Sequence, residues 1–273
     1  MTDTQTHQRQ GAPRARSTPA LAALVALALS ACSAPGPGQA PGAPFDPYEA
    51  TNRATHEFNK DLDRKVIRPI SHGYSKAVPD DIETAISRFA TNISIPRAVV
   101  NNILQGNMRG ATEDSYRFIV NSTVGLAGLF DPATELGMPK ATGADFGQTL
   151  HVWGVREGAY VEIPVLGPST ERDFAGIVVD IFTDPLGYVI AAPQKYYVVA
   201  TKVPKRMTER TRFTETIDSV LYGSADSYAQ SRSLYLQKRH FELGESGSNT
   251  YLDPYDTTYG ASSEDPADVP NAQ

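Results

Sequence analysis

The chain has 273 residues, with 25 Lys and Arg against 31 Asp and Glu, a formal net charge of −6, and one cysteine, Cys32. That balance leaves no basic footprint for nucleic acid, and a single thiol can neither close an internal disulfide nor build a cysteine-based zinc site. Residues 244–273 hold six acids and no Lys or Arg, so most of the negative charge sits in a Gly, Ser and Pro-rich tail that reads as disordered acidic chain, beyond a nearly neutral body.

Residues 1–16 carry Arg9, Arg14 and Arg16 against Asp3 alone, and residues 20–31 (ALAALVALALSA) are apolar and uncharged. A basic stretch followed by so short an apolar run is a secretory signal, since a helix crossing a bilayer needs about 20 residues. Residues 1–31 are therefore expected to be a signal peptide. Leu29-Ser30-Ala31-Cys32 resembles the lipobox of bacterial lipoproteins, in which the thiol takes a diacylglyceryl group and the cysteine becomes the mature N-terminus. Cys32 is thus the expected lipid anchor, carrying N-acyl and S-diacylglycerol groups, with no other cofactor and no metal expected. At about 0.8 kcal/mol per buried methylene, one acyl chain binds marginally and three bind firmly. Ser33 after the cysteine favours the outer membrane by analogy with enterobacterial sorting. Residues 32–44 then form the lipidated N-terminus and a Pro/Gly tether with little able to pack.

The body, 45–243, reads as one mainly helical domain. "PDDIETAISRFATNI" from Pro79 places Ile82, Ala85, Ile86, Phe89 and Ile93 at helical steps, with three acids in the first turn where the helix dipole favours them. "PRAVVNNILQG" opens on Pro96 and stops at Gly106, and "TEDSYRFIVNSTVG" aligns Tyr116, Ile119 and Val120 before Gly125. Two uncharged runs follow, "FIVNSTVGLAGLF" before Asp131 and "PLGYVIAAPQ" after Asp184. Both are too short to span a bilayer, which leaves core helix or interfacial segment as equal alternatives.

"AYVEIPVLG" alternates as a short strand, and nothing suggests a large sheet. In "GPSTERDFAGIVVDIF", Thr170 and Asp173 resemble a capping box, and Phe174, Ile177, Val178 and Ile181 are expected to form a buried stripe. Residues 195–212 gather Lys195, Lys202, Lys205, Arg206, Arg210 and Arg212 around apolar side chains; a surface that meets phosphates or a carrier protein and a plainly solvated face both fit.

No catalytic constellation is legible. Histidines 56, 72, 151 and 240 stand singly, without metal-ligand spacing; there is no Gly-x-Ser-x-Gly and no phosphate-binding Gly-rich loop. Asp173 and Asp180 share a helix face at a spacing that also suits plain surface. The expectation is binding or transport rather than catalysis.

"DPYEATNRATHEFNKDLD" at 46–63 resembles the opening of the MlaA (VacJ) lipoproteins of Gram-negative outer membranes. So do "NNILQG" at 101–106, "RFIVNSTVGLAGLFDPATELG" at 117–137, "DFGQTLHVWGV" at 145–155, "AYVEIPVLGPSTERD" at 159–173 and "SADSYAQSRSLYLQKR" at 224–239. The resemblance implies an all-α, ring-like body of short amphipathic helices in the periplasmic-facing leaflet of the outer membrane, with an amphipathic channel through it. Its implied work is removal of mislocalised phospholipids from the outer leaflet to a soluble periplasmic phospholipid carrier, beside a trimeric outer-membrane porin. A lipoprotein phospholipid hydrolase and a purely structural porin partner are the competing readings. By position, the family's membrane-positioning helix falls on Asn52, Arg53, Phe58 and Asn59, and its channel hinge on Gly154 and Gly158. Arg156 and His56 depart from the family pattern, in the hinge turn and the positioning helix respectively.

Overall fold

The computed structural model describes residues 44–190, 193, 196 and 200–245. The signal, Cys32, the tether up to residue 43 and the tail from residue 246 lie outside the described residues.

Helices dominate. Helix α1 (Glu49–Leu62) passes through a π-helical turn (Asp63–Ile67) into α2 (Arg68–Ala77). Next come α3 (Asp80–Asn92), α4 (Ile95–Leu104) and α5 (Met108–Thr123), three helices the apolar periodicity predicts. Asn107 caps α5 by accepting from the Gly110 amide. A short α6 (Pro132–Glu135) leads to α7 (Phe146–Val152), which opens on a full capping box between Asp145 and Gln148. One antiparallel pair follows, β1 (Tyr160–Ile163) and β2 (Gly167–Thr170), with Tyr160 opposite Thr170 and Ile163 opposite Gly167. The chain ends in α8 (Glu171–Thr183), α9 (Leu186–Val189), α10 (Lys202–Arg212), α11 (Thr214–Asp218), a second π-helical turn (Ser219–Gly223) and α12 (Ser227–Glu242). The all-α expectation holds, with only this two-stranded sheet set into it. β2 takes residues that the sequence reading gives to the start of α8. Thr170 does cap α8 from the Asp173 amide, but the Asp173 carboxylate turns inward rather than completing the box.

The core is inverted. Among the described residues, the fully buried polar and charged side chains outnumber the apolar ones, and the large apolar side chains crowd the exterior. Helix α8 corrects the sequence reading directly. Phe174, Val178 and Ile181 face outward and Ile177 stands at the mouth of a cavity, whereas Arg172, Asp173, Gly176 and Asp180 are buried. Helix α5 does the same, with Asp114, Arg117 and Asn121 inside and Tyr116 and Ile119 outside. An apolar stripe shows which residues share a face, and polarity alone cannot say which face is in.

Buried polar groups need partners, and two networks show how the fold supplies them. Arg117 donates to both oxygens of Asp131 at 2.7 and 2.6 Å and to the Pro139 carbonyl at 2.8 Å, and Asn121 bridges Asp131 and the Ala133 amide. Asp114 accepts from Asn102, the Thr142 amide and the Thr142 hydroxyl. Close backbone approach replaces apolar interdigitation where α7 crosses α8: a Cβ on Gly176 would stand 2.3 Å from the Gly147 amide nitrogen.

The uncharged run before Asp131 is an outward-facing turn. Leu126, Ala127 and Gly128 are all left-handed, a strained choice for the first two. Asn92 holds it by donating to the Ser122 hydroxyl and the Ala127 carbonyl. Val124, Leu126 and Phe130 are thereby presented to the outside. The second run places Tyr188 and Val189 77 % and 79 % exposed. In their described residues, both segments put large apolar side chains on the exterior rather than in the core.

Candidate functional site

A half-open cavity of about 660 Å³, with charged and apolar side chains both in its wall, is bounded by α4, α8, α10, α12, β2 and the residue 142–148 segment. Its wall is organised by Arg239 on α12, which spreads its guanidinium over Asp145 (2.8 Å to each oxygen) and Asp173 (2.8 and 3.0 Å). Tyr235 donates to Asp173 at 2.6 Å. Burial disfavours the Asp173 anion, but these hydrogen bonds outweigh it and hold its pKa below the usual carboxylate range. Three distant segments, at 145, 173 and 239, are locked through one cation. Beside them Asp180 accepts from Asn101 at 3.0 Å and from the Phe146 amide at 3.2 Å; burial nevertheless pushes its pKa up. The Asp173 and Asp180 spacing, which suits plain surface, lines an interior.

The residues of the expected positioning helix are brought together on α1, but not in one role. Asn52 and Asn59, two helical turns apart, face β1. Asn52 donates to the Tyr160 carbonyl at 3.0 Å and accepts from the Glu162 amide at 2.9 Å. Asn59 donates to the Ile163 carbonyl at 3.0 Å and accepts from the Val165 amide at 2.7 Å. The two carboxamides thus act as a third strand on the free edge of β1, satisfying backbone groups that an open edge would leave unpaired. Arg53 makes a two-point bond to Asp226 at 3.1 and 2.8 Å and lies 4.6 Å from the Tyr228 ring centre. Phe58 alone of the four has no polar task; it is 53 % exposed on the apolar exterior.

Gly154 and Gly158 sit in the turn between α7 and β1, both left-handed at φ of +83° and +75°, a conformation that glycine adopts without penalty. Neither lines the polar cavity. Gly154 has open space around its α-carbon, whereas Gly158 abuts Glu171, whose carboxylate accepts from the Ala159 amide. Glu157, between them, meets His240 at 3.2 Å, and the exposed Arg156 points away from this joint.

The fold also assembles a set of residues invisible in the sequence. His56 lies 3.1 Å from the Ser227 hydroxyl and 3.6 Å from Glu162. Ser, His and Glu in that order resemble a hydrolase triad, yet the His–Glu separation exceeds a hydrogen bond and Lys60 already donates to the Ser227 hydroxyl at 3.2 Å. Asp226 occupies the Ala229 amide in the same helical turn. These contacts make the set a polar joint between α1 and α12. Among the described residues no group of three or more His, Cys, Asp or Glu is placed to hold a metal ion, and no helix is long and apolar enough to cross a membrane.

Fold and site define a helical protein whose large apolar side chains crowd the exterior around a hydrogen-bonded, charged inside. The MlaA lipoprotein family model matches residues 44–242. An intermembrane phospholipid transport system lipoprotein, MlaA, of Escherichia coli (strain K12) is 30% identical over 200 residues, covering 72% of this chain and 77% of its own. Its counterpart of the same name in Haemophilus influenzae is 28% identical over 232 residues, covering 82% and 89%. An uncharacterized protein of Rickettsia prowazekii (strain Madrid E) is 33% identical over 190 residues, covering 69% and 74%. A solved chain described as "Structural basis for maintenance of bacterial outer membrane lipid asymmetry" superposes with a TM-score of 0.60 at 27% identity, covering 72% of this chain and 98% of that one. The chain belongs to the MlaA lipoprotein family.

Proposed function

We propose that this protein is an outer-membrane lipoprotein that removes mislocalised phospholipids from the outer leaflet and so maintains lipid asymmetry. Cys32 anchors it in the periplasmic-facing leaflet of a Gram-negative outer membrane. Its apolar shell sits among acyl chains, and lipid headgroups pass through the polar interior to a soluble periplasmic carrier, beside a trimeric porin. Phe58 contacts the leaflet, while Asn52, Arg53 and Asn59 hold that helix to the body; Gly154 and Gly158 let the adjoining turn move as the path opens. No catalytic residue takes part.

The observation that supports this reading is the inverted packing: large apolar side chains outside, hydrogen-bonded charged groups inside, and a half-open cavity of about 660 Å³ with charged groups in its wall. A headgroup needs polar partners along its path while its tails stay in hydrocarbon, and a protein of this build supplies both at once. The relatives named for intermembrane phospholipid transport support the same assignment. The test is the outer-leaflet phospholipid content of a strain lacking the gene. It is expected to rise, and an unchanged content would overturn the transport reading. Incubation of the purified protein with labelled phospholipid separates the hydrolase alternative, for which free fatty acid would appear. A purely structural porin partner would co-purify with porin and leave asymmetry intact.

A further inference from the structure

The cavity is lined by four cations and four carboxylates, but they are not evenly paired. Arg239 is matched by Asp145 and Asp173, with Arg172 also 3.5 Å from Asp173, and Lys238 is matched by Glu242 at 3.4 Å. That leaves Arg97 and Arg206 facing a single carboxylate, Asp180. Both oxygens of Asp180 are already taken by Asn101 and the Phe146 amide, and Arg97 stays 3.8 Å away. The Arg97 Nε is buried with no hydrogen-bond partner, and Arg206 makes no ion pair among the described residues. A buried guanidinium nitrogen without an acceptor costs free energy, and an incoming anion recovers it. Pro168 and Ile177 give the same cavity an apolar wall.

We propose that Arg97 and Arg206 form a site for a phosphodiester monoanion, filled in the working protein by the phosphate of a phospholipid with its glyceryl stub against Pro168 and Ile177. The assignment rests on the transport reading and specifies where in the interior the headgroup is held. Because the contact is to phosphate and not to the group beyond it, ethanolamine and glycerol headgroups bind alike. The two arginines come from α4 and α10, more than a hundred positions apart in the chain, so the site exists only when those helices are packed together.

The test is titration of the full-length acylated chain in detergent with dihexanoyl phosphatidylethanolamine, dihexanoyl phosphatidylglycerol, dihexanoylglycerol and inorganic phosphate. The two phospholipids are expected to bind with similar affinity, and dihexanoylglycerol, lacking phosphate, at least about tenfold more weakly. Arg206→Gln and Arg97→Gln are each expected to weaken phospholipid binding by about tenfold. Lys238→Gln, whose charge is already matched by Glu242, is expected to leave it near the wild-type value. Equal binding of dihexanoylglycerol, wild-type binding by the double arginine variant, or an equal loss in Lys238→Gln would each overturn the site. Inorganic phosphate binding as tightly as the lipids would overturn its assignment to lipid. Arg206 is exposed, so its variant tests the site even where Arg97→Gln fails to fold. These titrations are read independently of lipid asymmetry in cells, so the site and the transport reading fail separately.

Discussion

At the scale of single residues, the tightest constraint is a missing side chain. A methyl group on Gly176 would have to occupy space 2.3 Å from the Gly147 nitrogen, and backbone cannot swing aside as a side chain can. Gly176→Ala is therefore expected to lower stability by about 2 kcal/mol or more, read as a fall in the melting temperature of the detergent-solubilised chain. A second residue carries a pH dependence. The hydrogen bond that the imidazole donates to Glu157 raises the His240 pKa, burial opposes it, Glu245 adds attraction at 3.9 Å, and Arg172 works against it. A histidine with a raised folded pKa adds stability that is full below its unfolded value and is lost as pH climbs through the folded one. The joint between the Gly154–Gly158 turn and the end of α12 is thus expected to loosen as pH climbs above the ordinary imidazole value of about 6.5. Amide exchange across residues 154–158 should quicken over that range, and His240→Gln should abolish the change.

At the scale of elements, helix α8 has two faces with opposite rules. Asp180→Leu would strand the Asn101 amide and the Phe146 N–H in the interior, with an expected cost of about 2 kcal/mol. Ile181→Asp, one residue on and 70 % exposed, is expected to leave the fold in place and to weaken membrane association instead. Thermal melts and vesicle flotation of the two variants should give opposite patterns. The same helix shows what was legible in the sequence. The period of α8 and of α3, α4 and α5 could be read, as could the Thr170 cap, because periodicity and capping are local. The direction of each face could not, because it depends on whether the surroundings are water or hydrocarbon. The site was legible only in fragments. Arg206 falls in the basic run and Asp173 and Asp180 in a spaced pair, but Arg97, Asp145 and Arg239 gain meaning only when folding gathers them around one cavity. Asn52 and Asn59 were recognisable by position, while their task as a surrogate strand needed β1 in place beside them.

At the scale of the whole molecule, the proposed function gives the protein two holds on its membrane: an acylated Cys32 ahead of the body and the exposed apolar side chains of the body itself. Either alone is weaker than both. Cys32→Ala is expected to leave part of the protein on membranes. Combining it with Ile181→Asp and Phe182→Asp, at positions 70 % and 65 % exposed, is expected to release most of it. Fractionation of cells expressing each variant measures this. Complete release by Cys32→Ala alone would mean that the shell contributes no anchorage.

The inverted packing also changes which substitutions the protein can survive over evolutionary time. In a water-soluble domain the inside tolerates exchange among apolar residues and the surface drifts freely among polar ones. Here the surface should drift among Leu, Ile, Val and Phe, since hydrocarbon does not distinguish their shapes, while Asp114, Arg117, Asn121, Asp173 and Arg239 stay fixed because each bond they make has one geometry. A saturation mutagenesis map of this chain should therefore resemble that of a soluble protein turned inside out.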